Sequence, residues 1–165
     1  METDDLSHSA LVAALRYEPE TGAFIWLVKR GSAVPGKPAG HRLPDENRLK
    51  LRLFGRLYNA HRLAWFYMIS KWPEGDIDHI DGDALNNRWK NLRDVTHGVN
   101  MQNIRSPRPN NKAGLLGVVS VRNGTYSSRI RSGGKIIHLG TFRTAREAHE
   151  AYIDAKRETH EGCTI

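Results

Sequence analysis

Cysteine is almost missing from this chain of 165 residues: the single one, Cys163, lies two residues from the C-terminal end. That excludes an internal disulfide framework and a cysteine-rich zinc ribbon, and makes a reducing compartment the default. Long apolar runs are missing too, since no stretch approaches the ~20 apolar residues of a membrane span. Residues 1–20 begin acidic and polar rather than with a basic segment followed by an apolar one. A soluble, cytoplasmic protein without a membrane partner is expected. The third absence is local. Between Asp94 and Glu147 there is no Asp or Glu, while Arg105, Arg108, Lys112, Arg122, Arg129, Arg131, Lys135, Arg143 and Arg146 stand there. A solvated surface normally mixes the two signs, so a one-signed stretch points to a polyanionic partner such as nucleic acid.

The rest of the charge is distributed to match. Residues 1–75 hold 11 basic and 8 acidic side chains, residues 76–104 hold 3 and 5, and residues 105–165 hold 11 and 5. An acidic middle is thus flanked by basic segments. With ordinary domains running to about 100–150 residues, the length allows one such domain or two small modules.

Local patterns sketch the elements. Leu11, Val12, Ala14 and Leu15 after Ser7 suggest a short helix ending before Pro19. A turn at 20–22 leads into strand formers at 23–28, and residues 31–44, with two prolines and two glycines between 35 and 40, are expected to be a loop. Residues 48–54 alternate, with Leu49, Leu51 and Leu53 on one face and Arg48, Lys50 and Arg52 on the other, as in a half-buried strand. From Asn59, a candidate N-cap, a buried helix is expected to run towards Pro73. Residues 105–116 carry two prolines and no apolar period, as a linker would. Beyond them, runs at 117–122, 126–131 and 135–139 are separated by Asn123-Gly124 and Gly133-Gly134, strong hairpin signals because these residues accept positive φ. A three-stranded antiparallel meander follows, then a T-x-x-E capping box at Thr144 and Glu147 before a helix with inner face Ala148, Ala151, Tyr152 and Ala155.

The acidic middle, residues 76–103, reads D-I-D-H-I-D-G-D-A-L-N-N-R-W-K-N-L-R-D-V-T-H-G-V-N-M-Q-N. It resembles the HNH, or ββα-metal, endonucleases, and among them the phage and intron homing enzymes. The resemblance implies a hairpin whose first strand carries Asp78-His79, a loop with a middle Asn91, and a short helix delivering Asn100. Cleaving a phosphodiester needs a more basic water and stabilisation of the charge on the leaving oxygen. A neutral imidazole suits the first need and a hard divalent ion the second. By the resemblance, His79 is the general base, Asn91 accepts a hydrogen bond from His79 and fixes its ring, and Asp78 and Asn100 hold one Mg²⁺ or Mn²⁺ per site. Asn100 stands where the fuller pattern has His, as in the H-N-N variant, with His97 one turn earlier as the rival ligand. Asp81 and Asp83 are expected to shape the loop, with Gly82 supplying its turn.

Residues 114–159, ending in I-H-L-G-T-F-x-T-A-x-E-A-x-x-A-Y, resemble the plant ethylene-response-factor DNA-binding domain, in which a three-stranded sheet enters the major groove. Carried over, Arg122, Tyr126, Arg129, Arg131, Lys135 and His138 are the candidate DNA contacts. Period two independently puts Arg129 and Arg131 on one strand face and Tyr126 on the other, where it would join the core. The expected protein is of α+β class: residues 1–105 an N-terminal β/α segment and nuclease core with its motif at 76–104, residues 106–116 a linker, and residues 117–165 a three-stranded antiparallel sheet packed on one helix. Its expected activity is metal-dependent hydrolysis of double-stranded DNA by a monomer, the alternative being a DNA-binding regulator that keeps the scaffold without the chemistry.

Overall fold

The computed structural model describes residues 6–43 and 47–165. Pro44, the last residue of the expected 31–44 loop, and the first five residues of the acidic start lie outside the described residues. The chain divides into two compact units, Met1–Thr96 and His97–Ile165. Both mix helices with antiparallel strands. Among the described residues no helix is long and apolar enough to cross a membrane.

In the first unit, α1 (His8–Ala14) starts at Ser7, whose hydroxyl accepts from the Ala10 amide. The helix ends one residue before the expected apolar face does. Leu15 already belongs to β1 (Leu15–Glu18), which pairs with β2 (Ala23–Trp26) through the turn at 19–22. The segment expected to be loop contributes two short strands, β3 (Pro38–Ala39) on β2 and β4 (His41–Arg42) on β5 (Leu49–Leu53). β5 turns into β6 (Arg56–Asn59) through Phe54 and Gly55, both at positive φ. Leu51 and Leu53 are buried and Arg52 is exposed, as the alternation predicts. α2 (Ala60–Ile69) follows Asn59, which holds the N-cap position without a side-chain capping bond. Leu11, Leu15, Phe24, Leu51, Leu53, Leu63, Ile77 and Leu92 form the shared core. Burial of such side chains contributes about 1.5–3 kcal/mol each, which outweighs the missing cap.

The second unit begins with α3 (His97–Gln102), a helix with no buried residue of its own. It is held by the other end of the unit. Gly162 donates to Gln102 Oε1 at 3.0 Å, and a Cβ there would lie 2.2 Å from the Val99 carbonyl oxygen. Thr164 bonds Asn103, Arg105 donates to the Thr164 carbonyl, and the buried Lys156 ammonium donates to the Ile104 carbonyl at 2.6 Å. This clasp explains why the division falls after Thr96 rather than in the proline-containing stretch beyond residue 105.

β9 (Val118–Ser120), β10 (Tyr126–Ser132) and β11 (Lys135–Phe142) form the meander, in the order β11-β10-β9. Asn123, Gly124, Gly133 and Gly134 all take positive φ, as the hairpin signals require. α4 (Ala145–Thr159) carries the full reciprocal capping box between Thr144 and Glu147. It packs Ala148 and Tyr152 on the sheet, with Ile130 and Leu116 opposite Tyr152.

Candidate active site and nucleic-acid face

β7 (Asp76–His79) pairs antiparallel with β8 (Leu92–Val95), setting Asp78 opposite Arg93 and His79 opposite Leu92. Ile77 anchors the hairpin in the core, with Asp78 and His79 buried after it and Asp76 half-buried before it. Asp78 is only 5% exposed, and its Oδ2 accepts from Arg93 Nε at 2.9 Å and Nη2 at 2.8 Å. The pairing offsets the cost of taking a carboxylate out of water.

His79 is 7% exposed. Its Nε2 lies 3.2 Å from Asn87 Oδ1, and its ring meets the His61 ring edge-on at 5.2 Å and 79°. Burial is the largest influence on both imidazoles and lowers their pKa values. For His79 the Asn87 bond and the carboxylates of Asp81 and Asp78 oppose that drop, and Arg48 adds to it. His61 is pushed down to about 3 by burial, then by His79, Arg48 and Arg62, with Asp76 opposing. At neutral pH both rings are uncharged, so His79 is in the form that can accept a proton.

Asn91 has a different job from the expected one. It sits at the end of a short 3-10 turn, Trp89–Asn91, and turns into the loop rather than towards the imidazole. Its Nδ2 donates to Asp81 Oδ1 at 2.9 Å and the Asn86 carbonyl at 2.7 Å, and its Oδ1 accepts from the Asp81 amide at 3.0 Å. The side chain beside the His79 ring is Asn87, eight residues on from His79 instead of twelve. Asp81 shapes the loop as expected. Its carboxylate accepts from the Asp83 amide, Asn86 Nδ2 and Asn91 Nδ2, which lower its pKa although partial burial, the largest single influence, raises it. Gly82 turns the chain at φ 77°.

Asn100 and His97 belong to α3, in the second unit; Asn100 is half-buried and His97 exposed. Among the described residues no group of three or more His, Cys, Asp or Glu side chains could hold a metal ion. The oxygen donors expected from the sequence, one carboxylate and one carboxamide, fit a hard ion such as Mg²⁺, which keeps several of its waters rather than filling an all-protein cage.

In the second unit, Arg129 and Arg131 are exposed on β10, on the opposite side from the buried Ser128 and Ile130 that face α4. Register puts His138 beside Arg129 and Ile136 beside Arg131 on that open face. Tyr126 alternates with the buried set and is half-buried, so it does not share the arginines' face. Lys135 pairs with Ser132 at the hairpin end, and Arg122 is exposed in the turn after β9.

Residues 58–102 match the family described as HNH endonuclease. This segment is similar to the HNH endonucleases. It begins at Tyr58, so it takes in α2 with His61 as well as the β7–β8 hairpin and α3. The DNA endonuclease I-HmuI of Bacillus phage SP01 is 30% identical over 97 residues, 56% of each chain, so this chain spans about half the length of that relative. A solved structure of DNA binding and cleavage by the HNH homing endonuclease I-HmuI aligns over 95% of this chain and 93% of that one, with 20% identity and a TM-score of 0.44. Sequence reasoning does not single out His61 or Asn87. The signal for them is their place in H-R-L-A, just upstream of the motif, and in the Asn86-Asn87 doublet within it.

Proposed function

We propose that the protein is a metal-dependent DNA endonuclease of the phage homing type. The observation that carries this reading is a buried, neutral His79 next to a buried Asp78 paired with Arg93, on one strand of a segment that matches the HNH endonucleases. His79 takes a proton from the attacking water, which forms a bond to phosphorus as the bond to the 3′-oxygen breaks. The products are a 5′-phosphate and a 3′-hydroxyl. By the resemblance to the H-N-N variant, Asp78 and Asn100 would be oxygen donors for one Mg²⁺ or Mn²⁺, and that ion would offset charge on the leaving oxygen. Arg93 orients Asp78 through its two contacts with Oδ2. Asn91 acts by bracing the loop, and His97 is the competing donor on α3.

DNA is gripped by the open sheet face of the second unit, with Arg129, Arg131 and His138 as the central contacts and Arg122 and Lys135 at its margins. The resemblance to the ethylene-response-factor domain supports this docking mode, and the absence of acidic side chains from Arg105 to Arg146 supports its electrostatics. Tyr126 supports the sheet from behind. A time course on supercoiled plasmid with Mg²⁺, resolving nicked from linear product, tests the reading. One HNH centre per monomer should give nicked circles first. DNA binding without any metal-dependent conversion would leave a regulator rather than an enzyme.

A further inference from the structure

The polar groups around His79 are ordered by a part of the chain outside the nuclease motif. Asn87 is 2% exposed, and both ends of its carboxamide are committed. Its Nδ2 donates to the Leu85 carbonyl at 3.2 Å, which leaves Oδ1 facing His79 Nε2. An oxygen can only accept, so the imidazole nitrogen opposite it must carry the hydrogen. The backbone of Asn87 is gripped from β1 and the turn that follows. Tyr17 donates its hydroxyl to the Asn87 carbonyl at 2.6 Å in a buried bond. The Trp89 amide donates to the Pro19 carbonyl at 2.9 Å, and Arg88 Nε to the Glu20 carbonyl at 2.9 Å. Gly22, at φ 77°, passes so close that a Cβ would lie 2.5 Å from the Asn87 carbonyl carbon.

We infer that Asn87 is the positioning residue of His79, fixing the ring in the tautomer with its proton on Nε2, and that Tyr17 and Gly22 of the β1–β2 hairpin hold Asn87 in register. The basic nitrogen is then Nδ1, and the N-terminal hairpin is part of the cutting machinery although it carries no motif residue. This rests on the reading of His79 as the base. A partner that orients a functional imidazole commonly affects activity by about 10–100-fold. Asn87 occupies that place here, whereas Asn91 holds the loop.

The test uses the full-length protein. Long-range ¹H–¹⁵N correlation spectra of the histidine rings at neutral pH should show His79 as the Nε2–H tautomer in the wild type, a readout independent of cleavage. Asn87→Ala should lose that preference and slow single-turnover DNA cleavage with Mg²⁺ by about 10–100-fold, with DNA affinity in EDTA unchanged. Asn87→Asp keeps an acceptor oxygen at the position and should restore the tautomer and most of the rate lost in Asn87→Ala. Tyr17→Phe, which removes one hydroxyl, should slow cleavage by about 5-fold, the value of a single hydrogen bond of about 1 kcal/mol. A wild-type ring protonated on Nδ1 overturns the inference whatever the variants do. So does a folded Asn87→Ala protein with an unchanged tautomer. If His79→Ala cuts at the wild-type rate, the reading of His79 as base fails, and the tautomer spectra still decide the role of Asn87.

Discussion

The loop between β7 and β8 and the open face of the β9–β11 sheet are both polar, yet they are built in opposite ways. Around His79 the polar groups are bonded to one another, with Asn87 and Asn91 buried, Asn86 half-buried and Asp81 exposed, each holding a neighbour. On the sheet, Arg129 and Arg131 stand exposed on the side away from α4. A chemical step gains most from groups whose orientation is fixed before the substrate arrives. Binding a polyanion needs only positive charge that can meet phosphate and release counterions. Buried polar groups cost much when one partner is lost, whereas exposed charges act through their sum.

The largest break in that comparison should come from His79→Ala, which is expected to cut the cleavage rate by roughly 10²–10⁴ while leaving DNA affinity nearly unchanged. Single-turnover rates beside gel-shift titrations check it. Near-normal cleavage would remove His79 from the base role.

Asn91→Ala should act on the fold first. It removes three hydrogen bonds and leaves loop groups without partners, so a loss of about 3 kcal/mol in denaturant unfolding is expected. An exposed arginine on the sheet should change stability by less than about 0.5 kcal/mol. Comparable losses at Asn91 and Arg129 would erase the distinction between the two regions.

Acid should affect the first region through His61. Its pKa is about 3 in the fold against 6.5 in the unfolded chain, so between those values the unfolded chain binds the extra proton. Stability is therefore complete above pH 6.5 and is lost as pH falls towards 3, at up to about 1.4 kcal/mol per pH unit. The lowered pKa of His79 acts in the same direction. At pH 5 the His61 contribution amounts to about 2 kcal/mol. Unfolding curves between pH 7 and 4.5 should show this fall, and His61→Phe should flatten it. An equally steep fall in that variant would place the acid sensitivity elsewhere.

Arg129→Ala with Arg131→Ala should have the mildest consequence. DNA affinity should drop by about tenfold, and the slope of log affinity against log salt should become shallower by about 2, one for each phosphate no longer neutralised. Unchanged slopes would move the grip to another basic surface, the first candidate being Arg48, Lys50 and Arg52.

Much of this contrast is written in local sequence. The capping box of α4 and the Asn-Gly and Gly-Gly turns depend on residues three or fewer apart, and each occurs as the pattern predicts. Alternation places Arg129 with Arg131 and sets Tyr126 apart, because a strand fixes side by parity alone. The Asp78-His79 pair is legible because the two adjacent residue types stand together at the start of the motif. The partner of His79 is not. Asn86, Asn87 and Asn91 are chemically alike, and which one meets the ring depends on how a loop closed by Asp81 folds back. His61 sits in a helix pattern that looks like ordinary core until β7 is laid against it. β1 is hidden because Leu15 continues the apolar face of α1, and only pairing with β2 turns it into a strand. The proline-containing stretch after residue 105 looks like a natural boundary, since sequence does not show that Gly162 and Thr164 return to α3.

That return has a consequence for recombination. Helix α3, with Asn100 upon it, takes its packing and a hydrogen bond to Gln102 from Gly162, and the residues just past its end are held by Thr164 and Lys156. A joint made at Thr96 would move the helix together with everything that holds it. A joint made at Arg105 would hand the helix to a host that lacks the clasp, so exchange of C-terminal units between such proteins should succeed at the earlier joint and fail at the later one.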